Sequence, residues 1–434
     1  MPDPGCAGRG SEPVLRVNPH PLSWPWPPRS AYLHIPFCHR RCFYCDFPVV
    51  PLGDRADGER SRSIAAYLEL LHAEIAAAPA GPPLSTVYVG GGTPSILSPG
   101  QLRQLLQALR RRYGLAPGAE VSLEMDPASF DAERLAGYLA AGVNRVSLGG
   151  QSFDDGVLER LGRRHRRADL LQAAGWLEAA RRRGELASWS LDLIQGLPGQ
   201  TLAHWQEQLR QAIGLNPPHL SVYDLIVEPG TVFERLEARG QLQLPEADLA
   251  ADLMELTARR LAAAGYGHYE ISNYAQPGHA SRHNRVYWSG AGWWGFGMGA
   301  TSAPWGARLA RPRTREAYAA WLRQGGAADA EACGPGEPMP FDERVMVGLR
   351  RREGVRLRAL AAEVGLTPAD LAPLLRRWQP FVDRGWLLRE GPRWRLSDPE
   401  GLALSNGVLR ELLEWWEQHL DRRLPGGPTP PPSP

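Results

Sequence analysis

Three cysteines carry the clearest chemical signal in this sequence. Cys38, Cys42 and Cys45 follow the spacing C-x-x-x-C-x-x-C, directly after a short apolar segment that reads as a strand. The protein ligates all four irons of a 4Fe-4S cluster only if it supplies a thiolate to each iron, and this motif supplies only three. The spacing therefore predicts a 4Fe-4S cluster with one iron left open to a small molecule.

Zinc and disulfide bonds are the alternatives for these cysteines. Structural zinc usually takes two C-x-x-C-like pairs or added histidines at short spacing, which the nearby His34 and His39 imitate only in part. A disulfide framework is typical of short, secreted, cysteine-rich chains, whereas this chain has 5 cysteines in 434 residues. We therefore expect an iron-sulfur site in a reducing cytoplasm, with Cys6 and Cys333 outside it.

Composition narrows the class of protein. Hydrophobic residues make up 43% and charged residues 22% of the chain, and no apolar run approaches the roughly 18 to 20 residues needed to span a bilayer. The formal net charge of +2 gives no general attraction to nucleic acid, so none is expected as a partner. All 49 basic residues are arginine, which excludes a P-loop lysine, a Schiff-base lysine and a pyridoxal-phosphate anchor.

From Ala31 onward, short β-branched or aromatic runs alternate with longer helical patterns. Such alternation predicts parallel strands joined by crossover helices. Each expected strand runs into an unusual loop, and the loops at the carboxyl ends of barrel strands carry the active site. The sequence therefore predicts an α/β fold with a partial (β/α)6 TIM-like barrel, whose lateral gap admits a large substrate. The expected strands are 31–35, 86–90, 121–125, 145–149, 189–194 and 219–225.

The domain organisation follows from changes in this pattern. After about residue 240 the alternation fades into a stretch dense in aromatics, Gly and Asn, which we expect to form a lid or an extra sheet. Later helical patterns and a hairpin-like segment predict a winged-helix-like α+β module, and both chain ends have the composition of disordered tails. The expected divisions are a tail at 1–29, the barrel at 30–240, an extension or lid at 241–330, a winged-helix-like domain at 331–424 and a tail at 425–434.

Polar and glycine residues at the ends of the expected strands are candidates for binding a ligand. The glycines at 90–92 lack Cβ atoms, so their backbone can approach a ligand, although a tight strand-to-helix turn would favour glycine as well. Glu124 and Asp192 can accept hydrogen bonds from an amino group or ribose hydroxyls, but a solvated or capping carboxylate is the alternative. Gln151 can form hydrogen bonds with an uncharged polar edge of a ligand. Arg163 can bind a carboxylate, although it could equally belong to a charged surface.

His283 begins the segment HNRVYW, which joins an imidazole to two aromatic rings in a loop context. Haem iron is often held by a histidine, and a flat macrocycle packs well against aromatic faces. The alternative is a hydrogen-bonded structural histidine. His268, in GHYEIS, has the same ambiguity.

Eight motifs in order resemble the oxygen-independent coproporphyrinogen III oxidase group of radical S-adenosylmethionine (SAM) proteins. The resemblance covers about residues 30 to 420. It implies that SAM occupies the open iron and that an electron from a reductant cleaves it to methionine and a 5′-deoxyadenosyl radical. The motifs are YLHIPFCHRRCFYCDF, GGGTPS, GVNRVSLGGQSF, DLIQGLPGQT, HLSVYDLIVEPGT, HYEISNYA, SRHNRVYW and the C-terminal module.

Two lineages make up this group: dehydrogenases that oxidatively decarboxylate two propionates, and chaperones that bind haem and pass it on. The dehydrogenases carry a further cysteine where this chain has Phe47, and a longer N-terminal segment than the Pro-rich stretch that precedes Tyr32. The HNRVYW segment resembles the H-N-x-x-Y-W motif associated with haem binding in the chaperones. The resemblance therefore favours a haem chaperone, with haem and an unidentified acceptor protein as partners and no coproporphyrinogen III oxidase activity. The alternatives are the dehydrogenase and, as a third class, a winged-helix nucleic-acid binder.

The resemblance also assigns binding residues position by position. It makes Cys38, Cys42 and Cys45 the cluster ligands and implies that His283 binds haem. Ile226 matches a second SAM site known in the dehydrogenases. We expect the region around His283 and the C-terminal module to cover the open face of the barrel. The implied SAM contacts are Tyr32, Tyr44, Gly91, Gly92, Thr93, Glu124, Gln151, Arg163 and Asp192.

Overall fold

A computed structural model describes residues 27–54, 57–306, 308–326 and 339–423 of the chain. The expected tails, apart from residues 27–29, lie outside the described residues, as do Cys6 and Cys333. The strands are β1 (Ser30–Ile35), β2 (Phe37–Cys38), β3 (Val50–Pro51), β4 (Leu84–Gly91), β5 (Leu115–Met125), β6 (Arg145–Gln151), β7 (Ser188–Gln195), β8 (His219–Asp224), β9 (Gly267–Glu270), β10 (Asn273–Ala275), β11 (Trp294–Phe296), β12 (Thr301–Ser302), β13 (Leu309–Ala310), β14 (Leu387–Glu390) and β15 (Arg393–Leu396).

The helices flank these strands and end in the C-terminal part of the chain. They are α1 (Arg62–Ala77), α2 (Pro99–Arg112), α3 (Ala132–Ala141), α4 (Asp155–Arg160), α5 (Arg167–Arg182), α6 (Leu202–Gly214), α7 (Val232–Glu237), α8 (Ala247–Ala263), α9 (Arg282–Ser289), α10 (Arg315–Arg323), α11 (Phe341–Leu349), α12 (Leu357–Glu363), α13 (Pro368–Asp383), α14 (Glu400–Ala403) and α15 (Ser405–Arg423). A turn of 3-10 helix covers Pro94–Ile96.

Six parallel strands in the order β1-β4-β5-β6-β7-β8 form the centre of a nine-stranded sheet. Their spatial order follows their order in the sequence, as repeated strand-helix crossovers require. They match the six expected strands, except that β8 ends one residue earlier, at Asp224, and among the described strands the sheet does not close on itself. The expected partial (β/α)6 barrel is therefore confirmed.

The helices begin at polar caps that define where each strand-to-helix loop ends. Ser98 and Gln101 form a capping box at the start of α2, and the Asp131 side chain accepts a hydrogen bond from the Arg134 backbone at the start of α3. Side chains of Asp154 and Thr201 cap α4 and α6 in the same way. These caps satisfy backbone N–H groups that lack partners inside the helix, so the loops on the carboxyl rim are held at both ends.

The segment after the barrel extends the sheet at both edges. β10 pairs antiparallel with β8, and β9 pairs with β10, at one edge. β11 pairs parallel with β1 at the other edge. An extra sheet or lid was expected here; the structure shows three additional strands of the main sheet and a separate two-stranded sheet, β12-β13.

The C-terminal part has its own hydrophobic core, built around Trp378, Phe341 and Trp415. Three helices, α11 to α13, precede the antiparallel hairpin β14-β15, which is the arrangement of a winged helix. The module contacts the barrel through α11, which packs on α9. This confirms the expected winged-helix-like module. None of the helices in the described ranges has the length and apolarity to cross a membrane.

Candidate functional site

The cysteine loop leaves β1 at the carboxyl end of the sheet. Cys38 lies in β2 and is 8% exposed, while Cys42 and Cys45 are partly buried, and all three are free thiols. Backbone hydrogen bonds hold the loop: the Leu52 N–H donates to the Cys38 carbonyl at 2.8 Å and the Phe43 N–H to the Leu161 carbonyl at 3.0 Å. The three thiols line one cavity of about 380 Å³.

Glycine at position 92 makes room for the Cys38 sulfur. A Cβ atom at Gly92 would lie 2.7 Å from Cys38 Sγ and 2.7 Å from the Phe37 carbonyl oxygen. The Phe37 carbonyl accepts a hydrogen bond from the Thr93 N–H at 2.7 Å, so this carbonyl is fixed in place. The backbone thus forms a cradle around Cys38 that only glycine permits at position 92.

The chemistry of the cysteines fits an iron-sulfur cluster. Burial raises the pKa of the Cys38 thiol to about 12, so the thiolate needs a nearby cation, which bound iron supplies. Within the described ranges, no group of three Cys, His, Asp or Glu side chains is gathered around a single metal position. In a 4Fe-4S cluster each cysteine thiolate binds a different iron. Three cysteines on one loop can therefore hold the cluster although they are not gathered around one metal position.

Glu124 lies at the end of β5 and faces the same cavity. Its carboxylate accepts hydrogen bonds from the Gly91 N–H and the Tyr88 hydroxyl, each at 2.9 Å. Burial raises the pKa of Glu124 to about 7, against the two hydrogen bonds, which favour the charged form. The carboxylate can therefore accept a hydrogen bond from an amino or hydroxyl group of a ligand. A positively charged amino group would stabilise the charged carboxylate most.

Asp192 lies on β7 across the cavity from the cysteine loop. Its carboxylate accepts hydrogen bonds from the Ser147 hydroxyl at 2.7 Å and the Ser190 hydroxyl at 3.0 Å. Burial raises the pKa of Asp192 above its ordinary value. Two hydroxyls fix its orientation, and a ligand in the cavity can donate to it.

Arg163 connects the cluster loop to the barrel. Its guanidinium donates to Asp126 at 2.7 Å and to the Gly149 carbonyl at 2.8 Å, and lies 3.6 Å from Cys42 Sγ. Although burial favours protonation of Asp126, the Arg163 guanidinium and His165 hold the pKa of that carboxyl well below its usual range. Arg163 is therefore a fixed positive charge beside the cysteine sulfur, rather than a solvated surface group.

Gln151 and Tyr44 also line the cavity, as do Gly91, Gly92 and Thr93. Gln151 has φ of 62°, a conformation that residues with a Cβ rarely adopt, and the pairing of β6 with β7 is irregular at that point. Such strain is concentrated at functional sites, where the surrounding structure holds it. The bulge turns the Gln151 side chain toward the cavity.

Two of the expected SAM contacts lie outside this cavity. Tyr32 does not line it, and the Tyr32 hydroxyl lies 3.0 Å from Nδ1 of His34. Ile226 is 65% exposed in the loop after β8. The structure thus brings together the three cysteines, Tyr44 and seven other expected contacts, but neither Tyr32 nor Ile226.

The expected haem ligand His283 lies buried between α9 and the barrel. Its ring is completely buried, with Nδ1 at 2.8 Å from the Thr86 hydroxyl and Nε2 at 2.9 Å from the Tyr287 hydroxyl. Burial lowers the pKa of His283 to about 3, so the ring is neutral at ordinary pH. In this conformation no ring nitrogen is available to an iron atom, because both are engaged by side chains.

The position of α9 also corrects the expectation that the region around His283 covers the open face. The N-terminus of α9 is held by Glu120, whose carboxylate accepts from the backbone N–H groups of Arg282 and His283 at 3.1 and 3.0 Å. Glu120 pairs with Thr86, which in turn pairs with Ser30, the first residue of β1. The α9 helix therefore lies at the end of the barrel opposite the cysteine loop.

Several cavity residues were not identified from the sequence. Tyr88, Asp126, Ser147 and Tyr223 line the cavity, and the first three hydrogen-bond the expected residues Glu124, Arg163 and Asp192. Polar residues recur at every second position of β4 to β8, for example Ser190 and Asp192 on β7. Because alternate residues of a strand share one face, this period would have indicated the polar interior.

Comparisons with known proteins agree with this geometry. The model of the Radical SAM superfamily matches residues 32–212, and that of the HemN C-terminal domain matches residues 341–403. Among solved structures, the coproporphyrinogen III oxidase HemN of Escherichia coli, a radical SAM enzyme, superposes with a TM-score of 0.73. It is 25% identical, with 90% of this chain and 91% of the other covered.

Proteins called haem chaperone HemW are more similar in sequence. The HemW of a Synechocystis species is 41% identical, with 90% of this chain and 98% of the relative covered. The corresponding values are 38%, 90% and 96% for Mycobacterium tuberculosis, and 36%, 88% and 97% for Escherichia coli. Since these similarities extend over nearly the full length of each relative, the chain belongs to the HemW family of radical SAM proteins.

Proposed function

We propose that the protein is a cytoplasmic haem chaperone that binds haem, together with a 4Fe-4S cluster and SAM, and transfers the haem to an acceptor protein. The observation that carries this proposal is the similarity to HemW haem chaperones of three bacteria over at least 88% of this chain. The cavity at the cysteine loop supports the cluster and SAM part of the proposal, because its residues have the required donors and acceptors.

The residues of the cavity have separate roles in this proposal. Cys38, Cys42 and Cys45 hold the cluster, which when bound supplies an electron to the sulfonium of SAM. The backbone at Gly91 and Gly92 admits the methionine part of SAM, for which Tyr44, Thr93, Gln151 and Arg163 are further contacts. Glu124 and Asp192 accept hydrogen bonds from its amino and ribose groups.

A second candidate function is that of a coproporphyrinogen III dehydrogenase. The observation in its favour is the structural similarity to HemN, which extends over 90% of this chain. Against it, Phe47 occupies the position of the further cysteine and lines the cavity with 51% of its surface exposed. Phenylalanine cannot replace a thiol, so this chain lacks that group of the dehydrogenases.

One preparation tests both candidates. The full chain is reconstituted anaerobically with iron and sulfide, and one half is given SAM, dithionite and coproporphyrinogen III. The other half is loaded with haem and mixed with a haem-free b-type cytochrome, and haem movement is followed by visible absorption. Protein reconstituted without haem and buffer without protein are the controls.

We expect haem to appear in the cytochrome and no vinyl product to form. Vinyl product above the control without protein would establish the dehydrogenase and overturn the proposal. Haem that stays in free solution throughout, without association with the chain, would also overturn it.

A further inference from the structure

A buried ion pair joins helix α1 to the segment after β13, outside the cavity at the cysteine loop. Glu74 in α1 is fully buried, and Arg311, directly after β13, is 3% exposed. Arg311 Nε donates to Glu74 Oε1 at 2.8 Å, and the Tyr318 hydroxyl donates to Glu74 Oε2 at 2.6 Å. The desolvation cost of a buried ion pair usually offsets its Coulombic attraction, so apolar residues would stabilise the fold equally well. The backbone conformation that the pair fixes is therefore the better explanation of its presence.

The pair fixes the segment 297–300, which follows β11. The Gly297 N–H donates to Glu74 Oε2 at 2.7 Å. The Arg311 N–H donates to the Ala300 carbonyl at 2.8 Å, so the backbone of this arginine holds the same segment. Both members of the ion pair thus hydrogen-bond segment 297–300.

Segment 297–300 contacts the chain just before the cysteine loop. The Met298 N–H donates to the Tyr67 hydroxyl at 3.1 Å, and that hydroxyl donates in turn to the His34 carbonyl at 2.6 Å. His34 lies in β1, which is followed at once by β2 and Cys38. The position of the segment therefore determines where the cysteine loop begins.

The same part of the molecule contacts the chain just after the loop. Gly299 packs against Pro48, and a Cβ atom at position 299 would overlap the proline ring. Nε2 of His34 lies 3.1 Å from the Pro48 carbonyl oxygen, so the residues on the two sides of the loop also contact each other. Arg313, two positions after the arginine of the ion pair, donates from Nη2 to the Asp46 carbonyl at 2.8 Å. Both ends of the cysteine loop are thus held from the side of the ion pair.

We propose that the Glu74–Arg311 pair positions the iron-sulfur cluster, because it fixes the segment that holds both ends of the cysteine loop. The inference rests on the proposed function, which includes a cluster held by the three cysteines. Because those cysteines share one loop, a shift of either end changes the separation of the three thiolates without removing a ligand. The pair thereby controls how firmly the cluster is held. Neither Glu74 nor Arg311 lines the cavity, so both act through the backbone of the loop.

Full-length protein reconstituted anaerobically with iron and sulfide tests the proposal. The double variant Glu74→Leu/Arg311→Met replaces the buried pair by apolar side chains, which should keep the fold while removing the hydrogen bond to the Gly297 N–H. The matched control, Glu363→Leu/Arg344→Met, removes a partly buried pair between α12 and α11 in the C-terminal module.

Tyr67→Phe is a second variant, which removes the hydroxyl between Met298 and His34 and retains the aromatic ring. Three properties of every variant are measured. They are the melting temperature of the cluster-free protein, the rate at which the reconstituted protein loses iron to a chelator, and the electron paramagnetic resonance spectrum of the dithionite-reduced cluster. The spectrum reports the surroundings of the cluster, which a change in stability alone does not alter.

We expect Glu74→Leu/Arg311→Met to lose iron at least about tenfold faster than the wild type without a lower melting temperature, because a hydrogen bond to a charged group contributes more than one factor of ten. Its spectrum should differ from that of the wild type. Tyr67→Phe should change both properties in the same direction, and the control should match the wild type.

Wild-type iron loss and a wild-type spectrum in the folded double variant would overturn the proposal, and so would equal acceleration in the control. If the double variant does not fold, the same two outcomes are decided on Tyr67→Phe. A wild-type protein that takes up no iron would instead refute the cluster in the proposed function itself.

Discussion

Replacing Gly92 by alanine tests whether the backbone at this position makes room for the cluster. The new Cβ would lie 2.7 Å from Cys38 Sγ and from the Phe37 carbonyl oxygen, closer than real Cβ contacts. Both contacts must lengthen, so the sulfur has to move together with the Phe37 carbonyl, which the Thr93 N–H holds at 2.7 Å. Overpacking of this kind costs about 1–3 kcal/mol, which a chain of this size survives, and it displaces one of the three thiolates. We expect a folded protein that takes up much less iron.

The assay is anaerobic reconstitution followed by measurement of iron and sulfide per chain, with thermal melting of the cluster-free protein. Gly175→Ala is the matched control, because a Cβ at Gly175, in the middle of α5, would meet no atom within 4 Å. That change should leave iron content unaltered and stabilise the helix by up to about 1 kcal/mol. Wild-type iron content and unchanged melting in Gly92→Ala would refute the reasoning about the cradle.

Three further predictions concern changes at buried side chains. Since burial raises the pKa of Glu124 from 4.5 to about 7, the SAM-free protein should lose up to about 3 kcal/mol of stability as pH rises from 4.5 through 7. Melting of Glu124→Gln should lack this pH dependence, and parallel curves for both proteins would contradict it. Glu74→Ala removes the carboxylate that pairs with the buried Arg311 at 2.8 Å and should cost about 3–5 kcal/mol in denaturant unfolding. Glu185→Ala, which removes one partner of the exposed Glu185–Arg183 pair, is the control and should leave the denaturant midpoint nearly unchanged. His283→Ala removes the buried ring that contacts the Thr86 and Tyr287 hydroxyls and should lower the melting temperature of the haem-free protein, and an unchanged melting temperature would contradict this.

The strands of the barrel were predictable because each one is a short apolar run that ends in a distinctive loop. The sequence also predicted that Glu124 and Asp192 lie at the same rim, because the carboxyl ends of parallel strands meet at one edge of the sheet. It did not identify Tyr88 and Tyr223, because aromatic residues in a strand usually signal core packing rather than a polar cavity. Polar Thr86 and Ser221 lie two positions before them in the same strands, and this period of 2 is the signal that would have identified them.

The environment of His283 could not be predicted, because it depends on residues far away in the chain. Thr86 lies 197 positions before His283, and Glu120 lies 163 positions before it. A motif of six residues shows which side chains are present but not which face of the helix meets the barrel. The edge strands β9 to β11 were equally hidden, since they have only three or four residues each.

Haem titration of the anaerobically reconstituted wild-type protein tests the central claim most directly. Visible absorption is recorded as haem is added to a known concentration of chain, in the presence of SAM. The account predicts saturation at about one haem per chain, with an absorption band distinct from that of free haem. A linear response with the spectrum of free haem throughout would contradict it.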